Sequence, residues 1–356
     1  MLSPTSIAFL KRLLDTPAPS GFETAAARVW REEASTFAEK VTADVIGNSM
    51  AEVNPTGSPT IMLDGHIDEI GLIVQYIDDD GYVYISPIGG WDPQVLIGQR
   101  IRFLARGGDV MGVIGKKPIH LMKAADRDQA SKIVDLWVDI GAATRAEAEA
   151  RLAVGDAGVI DSKTIDFPNN RLVSRSIDDR IGAFIVLETL RRYAQNPGPA
   201  RVVAAATAQE EIAWHGGGAL VCTNCINPQM AIVVDVTFAT DHPNVEKKEI
   251  GDHSIGGGPV LSRGALISPV VYDLLRTTAE RHSIKYAVHA VGRETSTNAD
   301  AIHIAREGVA TGLVSVPNRY MHSPNELVSL DDVDWTCTLL AEACRQVSFK
   351  TDFTAR

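Results

Sequence analysis

Four short apolar runs, at residues 60–63, 202–206, 230–234 and 311–316, are separated by stretches whose apolar side chains recur with helical spacing. The clearest such stretch is 179–193, with Ile181, Phe184, Ile185, Leu187 and Leu190 on one stripe, and 270–282 is a second. Buried strands alternating with helices restrict the chain to an α/β fold, here a mixed, mostly parallel sheet flanked by helices. Residues 72–161 break the pattern. They hold closely spaced short strands (LIVQYI, YVYISPI, RIRFLA, VMGVIG) divided by Asp-Gly and Gly-Gly turns, with one acidic, alanine-rich helix near 144–152. At 356 residues the chain exceeds the usual single-domain size. The expected organisation is an α/β domain built from 1–70 and 162–356, with a small β-rich domain at 71–161 inserted into it.

A doubly wound sheet places its site outside the carboxyl ends of its strands, so the residues after each run carry the information. The first run leads to Asp64-Gly65-His66-Ile67-Asp68 and the second to Gln209-Glu210-Glu211. The third leads to Asp235, and the fourth passes through Pro317 to His322. Asp178 joins them from Ser176-Ile177-Asp178-Asp179-Arg180, at the expected start of a helix whose positive end favours a carboxylate. In a shared cleft Asp68, Asp178, Glu210, Glu211 and Asp235 would repel one another unless cations offset them. Two divalent ions would do so. Imidazole and carboxylate donors without thiolates suit zinc, cobalt or manganese, which makes His66, Asp178, Glu211, Asp235 and His322 the candidate metal residues. Asp68, two positions after His66, fits a carboxylate that takes the imidazole's second N–H and fixes its tautomer. Taken singly, each residue also has an ordinary reading: His66 and His322 as polar loop residues, the Glu pair as solvated, Asp178-Asp179-Arg180 as an N-cap and first turn. Periodicity leaves both readings open.

Other classes lack their marks. A net charge of −11 with no run of Lys or Arg argues against nucleic acid or an anionic membrane as partner. The N-terminus reads as an amphipathic helix carrying Ala8, Phe9, Leu13 and Leu14 rather than a signal peptide, and no stretch approaches the roughly 18 apolar residues of a membrane span. A cytoplasmic protein is expected. Cys222 and Cys225 form a single C-x-x-C without a matching His pair, and Cys337 and Cys344 fall on an expected C-terminal helix, so all four read as structural. There is no G-x-S-x-G elbow, dinucleotide fingerprint or P-loop. His215, His242, His253 and His303 read as structural or substrate-facing, His303 on a helix at 300–307.

Five motifs in order, LDGHIDEIG, SRSIDDRIG, ATAQEEIAWHGG, VVDVTFATDHP and NRYMHSPNELV, make the chain resemble the tetrahedral aminopeptidases, co-catalytic di-metal peptidases that include glutamyl aminopeptidases. The likeness extends to PSGFE near the start and GKKPIHLM in the inserted segment. The resemblance implies that His66 and Asp235 hold one metal, that Glu211 and His322 hold the other, and that Asp178 bridges them. It makes Glu210 the general base, with Asp68 as a second catalytic residue. It further implies removal of N-terminal residues from short peptides through a metal-bridging hydroxide. Two divalent ions per subunit are implied, zinc or cobalt with manganese a third option, as are a β-rich dimerisation domain and a hollow dodecamer. A di-metal N-acyl amino acid deacylase needs the same ligands, and an inactive assembly protein would keep the fold; both stand as alternatives. One stretch departs from the family's pattern. Where a glycine-rich run usually precedes Thr-Asp-Ala, residues 292–300 read GRETSTNAD, which leaves substrate preference open. Arg293 there would either pair with an acidic substrate side chain or lie in a solvated loop or subunit contact.

Overall fold

A computed structural model describes residues 1–124, 127–213 and 216–354. Eight strands form one sheet in the order Lys40–Ala43, Ser49–Val53, Arg201–Thr207, Thr60–His66, Met230–Phe238, Ala310–Asn318, Val260–Gly264 and Ala287–Val291. The four central strands run parallel, and Ser49–Val53 and Val260–Gly264 join them antiparallel on either side. The mixed α/β sheet expected from the apolar runs is therefore present. Its strands outlast those runs, because a ladder is made by backbone groups and a polar side chain does not end it. Thr60–His66 carries Asp64 into register with Ala205 and Val233, and His66 with Thr207.

Alternate side chains of a strand point to opposite faces, and Thr60–His66 shows what covers each. Met62 Sδ receives the Thr223 hydroxyl of helix Gly217–Ile226 on one face. Gly65, on the other, lies against Gly182 of helix Ile177–Gln195. On that side the N-terminal helix Pro4–Asp15, capped by Ser3 accepting the Ser6 N–H at 3.0 Å, buries Phe9, Leu10, Leu13 and Leu14. Phe9 meets Phe184 at 5.8 Å between ring centres. The C-terminal helix Leu330–Gln346 buries Cys337 and Cys344; Cys222 is buried, Cys225 exposed, and all four thiols are free. Among the described residues no helix is long and apolar enough to cross a membrane.

Between Gly71 and Ile160 six strands close a barrel in the order Gly71–Ile77, Val83–Ile88, Trp137–Asp139, Val110–Gly115, Arg100–Phe103 and Ala157–Ile160. They surround a core of their own that includes Leu72, Val83, Ile101, Phe103 and Val138. Closure removes the unpaired edges that a small sheet would otherwise expose. Two of these strands, Trp137–Asp139 and Ala157–Ile160, are not among the runs read from the sequence. The helix expected near 144–152 is the shorter Arg145–Glu149. A three-stranded sheet, Ile165–Phe167, Arg171–Ser174 and Glu326–Ser329, brings the chain leaving the barrel against the segment that follows His322. The helix expected at 300–307 is only Ala299–Ile302, with His303 just beyond it. The His303 carbonyl accepts the Val309 N–H at 3.1 Å, turning the chain into the strand Ala310–Asn318 before a second helical turn can form.

The Gly65 and Gly182 contact sets how closely helix and sheet approach. A Cβ on Gly65 would lie 2.5 Å from the Gly182 carbonyl carbon, which is backbone and cannot rotate away. Gly65→Ala is expected to cost about 1–3 kcal/mol through overpacking, seen as a lowered midpoint in calorimetric unfolding; an unchanged midpoint would mean that the helix shifts freely.

Candidate metal centre

All seven residues singled out in the sequence meet at the carboxyl edge of the central strands. His66 ends its strand, and its Nε2 lies 3.2 Å from Asp178 Oδ1 and 3.8 Å from Glu210 Oε2. His322 Nε2 lies 3.3 Å from Asp178 Oδ2 and 3.4 Å from Glu211 Oε1. Asp178 thus presents one oxygen to each imidazole. Donor atoms of His66, Glu210 and Asp235 fall within 4.8 Å of one another, and so do those of His66, Asp178 and Glu211. Glu210 stands as close to the cluster as the residues read as ligands.

The local structure around Asp178 differs from the sequence expectation. Asp178 (φ −72°, ψ 111°) and Asp179 (φ −119°, ψ 35°) are not helical, and the peptide between them is cis. Regular helix begins after them, so Asp178 lies outside the first turn. Asp179 accepts the Gly182 N–H at 3.0 Å with Oδ1, as a cap does, and the His66 N–H at 3.1 Å with Oδ2. One buried carboxylate therefore joins the start of the helix to the end of the strand.

Both imidazoles are oriented through Nδ1. A carbonyl can only accept, so the 2.8 Å contact from His322 Nδ1 to the Gly90 carbonyl places a proton on Nδ1 and leaves Nε2 facing Asp178 and Glu211. His66 Nδ1 is 3.2 Å from the Asp68 carbonyl and 3.5 Å from its carboxylate. The expected Asp68 pairing is thus shared with its own backbone. Its carboxylate oxygens accept the Glu210 N–H at 3.2 Å and the Glu211 N–H at 3.1 Å, fixing the turn that carries both glutamates. His322 has φ +57°, sparsely populated for a histidine. Glu326 holds it there, accepting the His322 N–H at 2.9 Å with one oxygen and the Asp178 N–H at 2.9 Å with the other.

Periodicity missed Asp179, Glu326, Glu23 and Glu69, because each is a buried acid with at least one partner far away in sequence. Glu23, within the PSGFE motif, accepts the Gln209 N–H at 3.1 Å, where Gln209 also has positive φ. Glu69, only 2% exposed, accepts from Arg175 Nη1 and Arg180 Nη2 at 2.7 Å each and from the Ala18 N–H at 3.0 Å. Arg180 Nε in turn donates to the Ile67 carbonyl at 3.0 Å. Of the other histidines, His242 is half-buried beside Tyr320, and His253 is buried beside His289. His215 lies outside the described residues.

The electrostatics fit a cation site. Burial, reinforced by the charges of Asp235 and Glu211 and opposed by His66, pushes Glu210 up to about 9. Burial and the neighbouring Asp178 push Asp235 up to about 8. Burial works against charge on His322, yet Asp178 and Glu211 outweigh it and carry its pKa up to about 11. His66 is likewise raised against burial, by Glu210, Asp178 and Asp68. Asp178 is also buried, but the two imidazoles hold it well below the usual carboxylate range. The raised imidazoles and raised carboxyls both answer a crowding of buried acids that divalent ions would offset. Glu211 Oε1, buried and without a hydrogen-bond partner, is the atom such an ion would satisfy.

With this geometry, comparison with known proteins settles the family: the M42 glutamyl aminopeptidases match residues 47–339. The chain belongs to that family. Among its relatives, the lysyl aminopeptidase of Pyrococcus furiosus is 36% identical over 349 residues, 97% of this chain and 98% of the relative. The TET aminopeptidase of a marine sediment archaeon of the Thaumarchaeota superposes with a TM-score of 0.93 at 30% identity, covering 97% of each chain. The Pyrococcus horikoshii TET1 peptidase, which can assemble into a tetrahedron or a large octahedral shell, superposes at 0.84 with 28% identity, over 96% of this chain and 100% of that one. As an M42 family member the chain is a peptidase, and the resemblance drawn from its five motifs holds.

As candidate ligands, His66 and His322 would have to lose protons to bind a metal, so affinity is expected to rise with pH across about 6 to 9, with protons released on binding. Titration calorimetry in two buffers of different ionisation heat measures the release; binding without it would mean that the imidazoles are not displaced from their protonated state.

Proposed function

We propose that the chain is a two-metal aminopeptidase that removes residues one at a time from the free N-termini of short peptides. The reading is carried by one observation: Asp178 faces an imidazole with each of its oxygens, at 3.2 and 3.3 Å, in a cluster of buried acids. His66 and Asp235 would hold one ion, Glu211 and His322 the other, and Asp178 both. Zinc or cobalt suits these donors, with manganese as a third choice. Such a pair would supply Lewis acidity and would lower the pKa of the attacking water from about 15.7 toward about 7.

Glu210 supplies the proton transfers. It takes a proton from the attacking water and returns one to the leaving amine, a role that asks for a carboxylate whose pKa lies near the working pH. Asp68 acts through it, holding the Glu210 and Glu211 amides so that both carboxylates point into the cleft. The acids at this end attract the cationic amine of a free N-terminus, which places the first peptide bond at the centre and makes cleavage proceed from the end. Within the same proposal the barrel serves as a dimerisation domain over 71–161, and the chain forms a closed homo-oligomer of the tetrahedral, dodecameric kind.

The test is mass spectrometry of a short-peptide mixture, half with free and half with N-acetylated termini, incubated with protein reconstituted in zinc, cobalt or manganese. Stepwise loss from free termini alone is expected; release of acyl groups would replace the reading with a deacylase, and no reaction despite bound metal with an inactive assembly protein. Glu210→Gln is expected to keep both ions and lose roughly 10²–10⁴ in kcat, and a near-normal rate would remove it from the base role. Asp178→Asn is expected to empty the site by metal analysis, and full occupancy would contradict bridging.

A further inference from the structure

Beside Glu210 and Glu211 the cleft continues into a depression of about 590 Å³. Its apolar lining is Ala213, Leu220, Ala301 and Ile304, and the loop that departs from the family's usual glycine-rich pattern contributes Ser296, Thr297 and Asn298. Among the described residues lining it, the charged side chains are Glu210, Glu211 and Asp300. The first two belong to the metal centre. Asp300 is engaged within its own loop: its two oxygens accept the Thr295 N–H at 2.8 and 3.0 Å, the Thr295 hydroxyl at 2.6 Å and the Ser296 N–H at 2.9 Å. Three donors, one of them shared between both oxygens, take up most of a carboxylate's roughly four acceptor sites, so Asp300 chiefly holds the loop's shape. Asn298 is turned away as well, donating to Asp64 at 2.8 Å and Thr207 at 3.0 Å beneath the loop. Arg293 is exposed and is not part of the lining.

We infer that this depression receives the side chain of the substrate's first residue and selects an uncharged aliphatic one, of the leucine or methionine kind, over both lysine and glutamate. The inference rests on the aminopeptidase reading and adds its specificity. An acidic side chain entering here meets carboxylates and no described cation. An ammonium gives up its water for carboxylates engaged elsewhere, Asp300 by its loop and Glu210 and Glu211 by the metal centre, and for the neutral hydroxyls of Ser296 and Thr297, which costs free energy. A branched or thioether side chain gains contact with Leu220, Ala301 and Ile304 and leaves no polar group behind.

The experiment compares kcat/KM for the 4-nitroanilides of leucine, methionine, lysine and glutamate with the metal-reconstituted full-length protein. Leucine and methionine are expected to exceed lysine and glutamate by at least about tenfold. A lysine or glutamate rate equal to or above leucine's overturns the inference while leaving the aminopeptidase reading intact; no hydrolysis of any of the four sinks that reading and the inference with it. Ile304 is 69% exposed, so its replacement tests the wall without disturbing the core. Ile304→Asp should raise the lysine-to-leucine ratio and Ile304→Lys the glutamate-to-leucine ratio, each several-fold, and two unchanged ratios would show that the first side chain lies elsewhere.

Discussion

The buried ion cluster of Glu69 with Arg175 and Arg180 is the joint on which the rest of the structure depends. It gathers four parts of the chain that are far apart in sequence: the N-terminal segment through Ala18, the metal loop through Ile67, the chain leaving the barrel through Arg175, and the long helix through Arg180. Charges removed from water give little net stability even when well paired, but a missing partner leaves an uncompensated charge, at a cost of several kcal/mol. Such a cluster therefore tolerates one arrangement of these four segments and penalises others. Of the candidate metal residues, His66 and Asp178 lie on those segments, beside Ile67 and between Arg175 and Arg180, so the cluster sets where these two stand relative to each other.

A second tier of acids works by a different principle. Asp68, Asp179, Glu326 and Glu23 each accept backbone N–H groups, and those groups belong to or adjoin the residues at the centre: Glu210 and Glu211, His66, His322 and Asp178, and Gln209. The side chains that face the cleft are left free of these duties. A carboxylate that orients another residue's backbone fixes two torsion angles at once, which is how His322 and Gln209 are kept at positive φ. The arrangement crowds buried acids round His66 and His322 and raises both imidazoles, which makes the cleft a place for cations.

How much of this was legible follows from the kind of interaction involved. The central strands and the long helix could be read because burial on a sheet or helix face imposes a periodicity that one sequence displays. His66, Glu210, Glu211, Asp235 and His322 could be found because the fold class says where strand ends converge. Asp179, Glu326, Glu69 and Glu23 could not, since an acid that serves a distant amide looks like any surface acid until the chain is folded. The helix start at Asp178 was misplaced for a related reason: a Ser-Ile-Asp-Asp-Arg string fits a cap at either aspartate, and only the His66 amide decides between them. Of the barrel strands not read from the sequence, Trp137–Asp139 has only three residues in which alternation could show, and Ala157–Ile160 has no polar residue to alternate with.

The barrel's place in the chain bears on how the protein is made. Thr60–His66 is a central strand, yet its first sheet neighbour in its final position, Arg201–Thr207, leaves the ribosome on the order of ten seconds later at ordinary synthesis rates. An apolar strand waiting that long is open to wrong partners. The barrel lies wholly within the interval, and its closure pairs Leu72 with Gly158. Once closed, it holds the waiting strand beside the newest part of the nascent chain, so that a pairing distant in sequence becomes a local one with a much smaller loop to close.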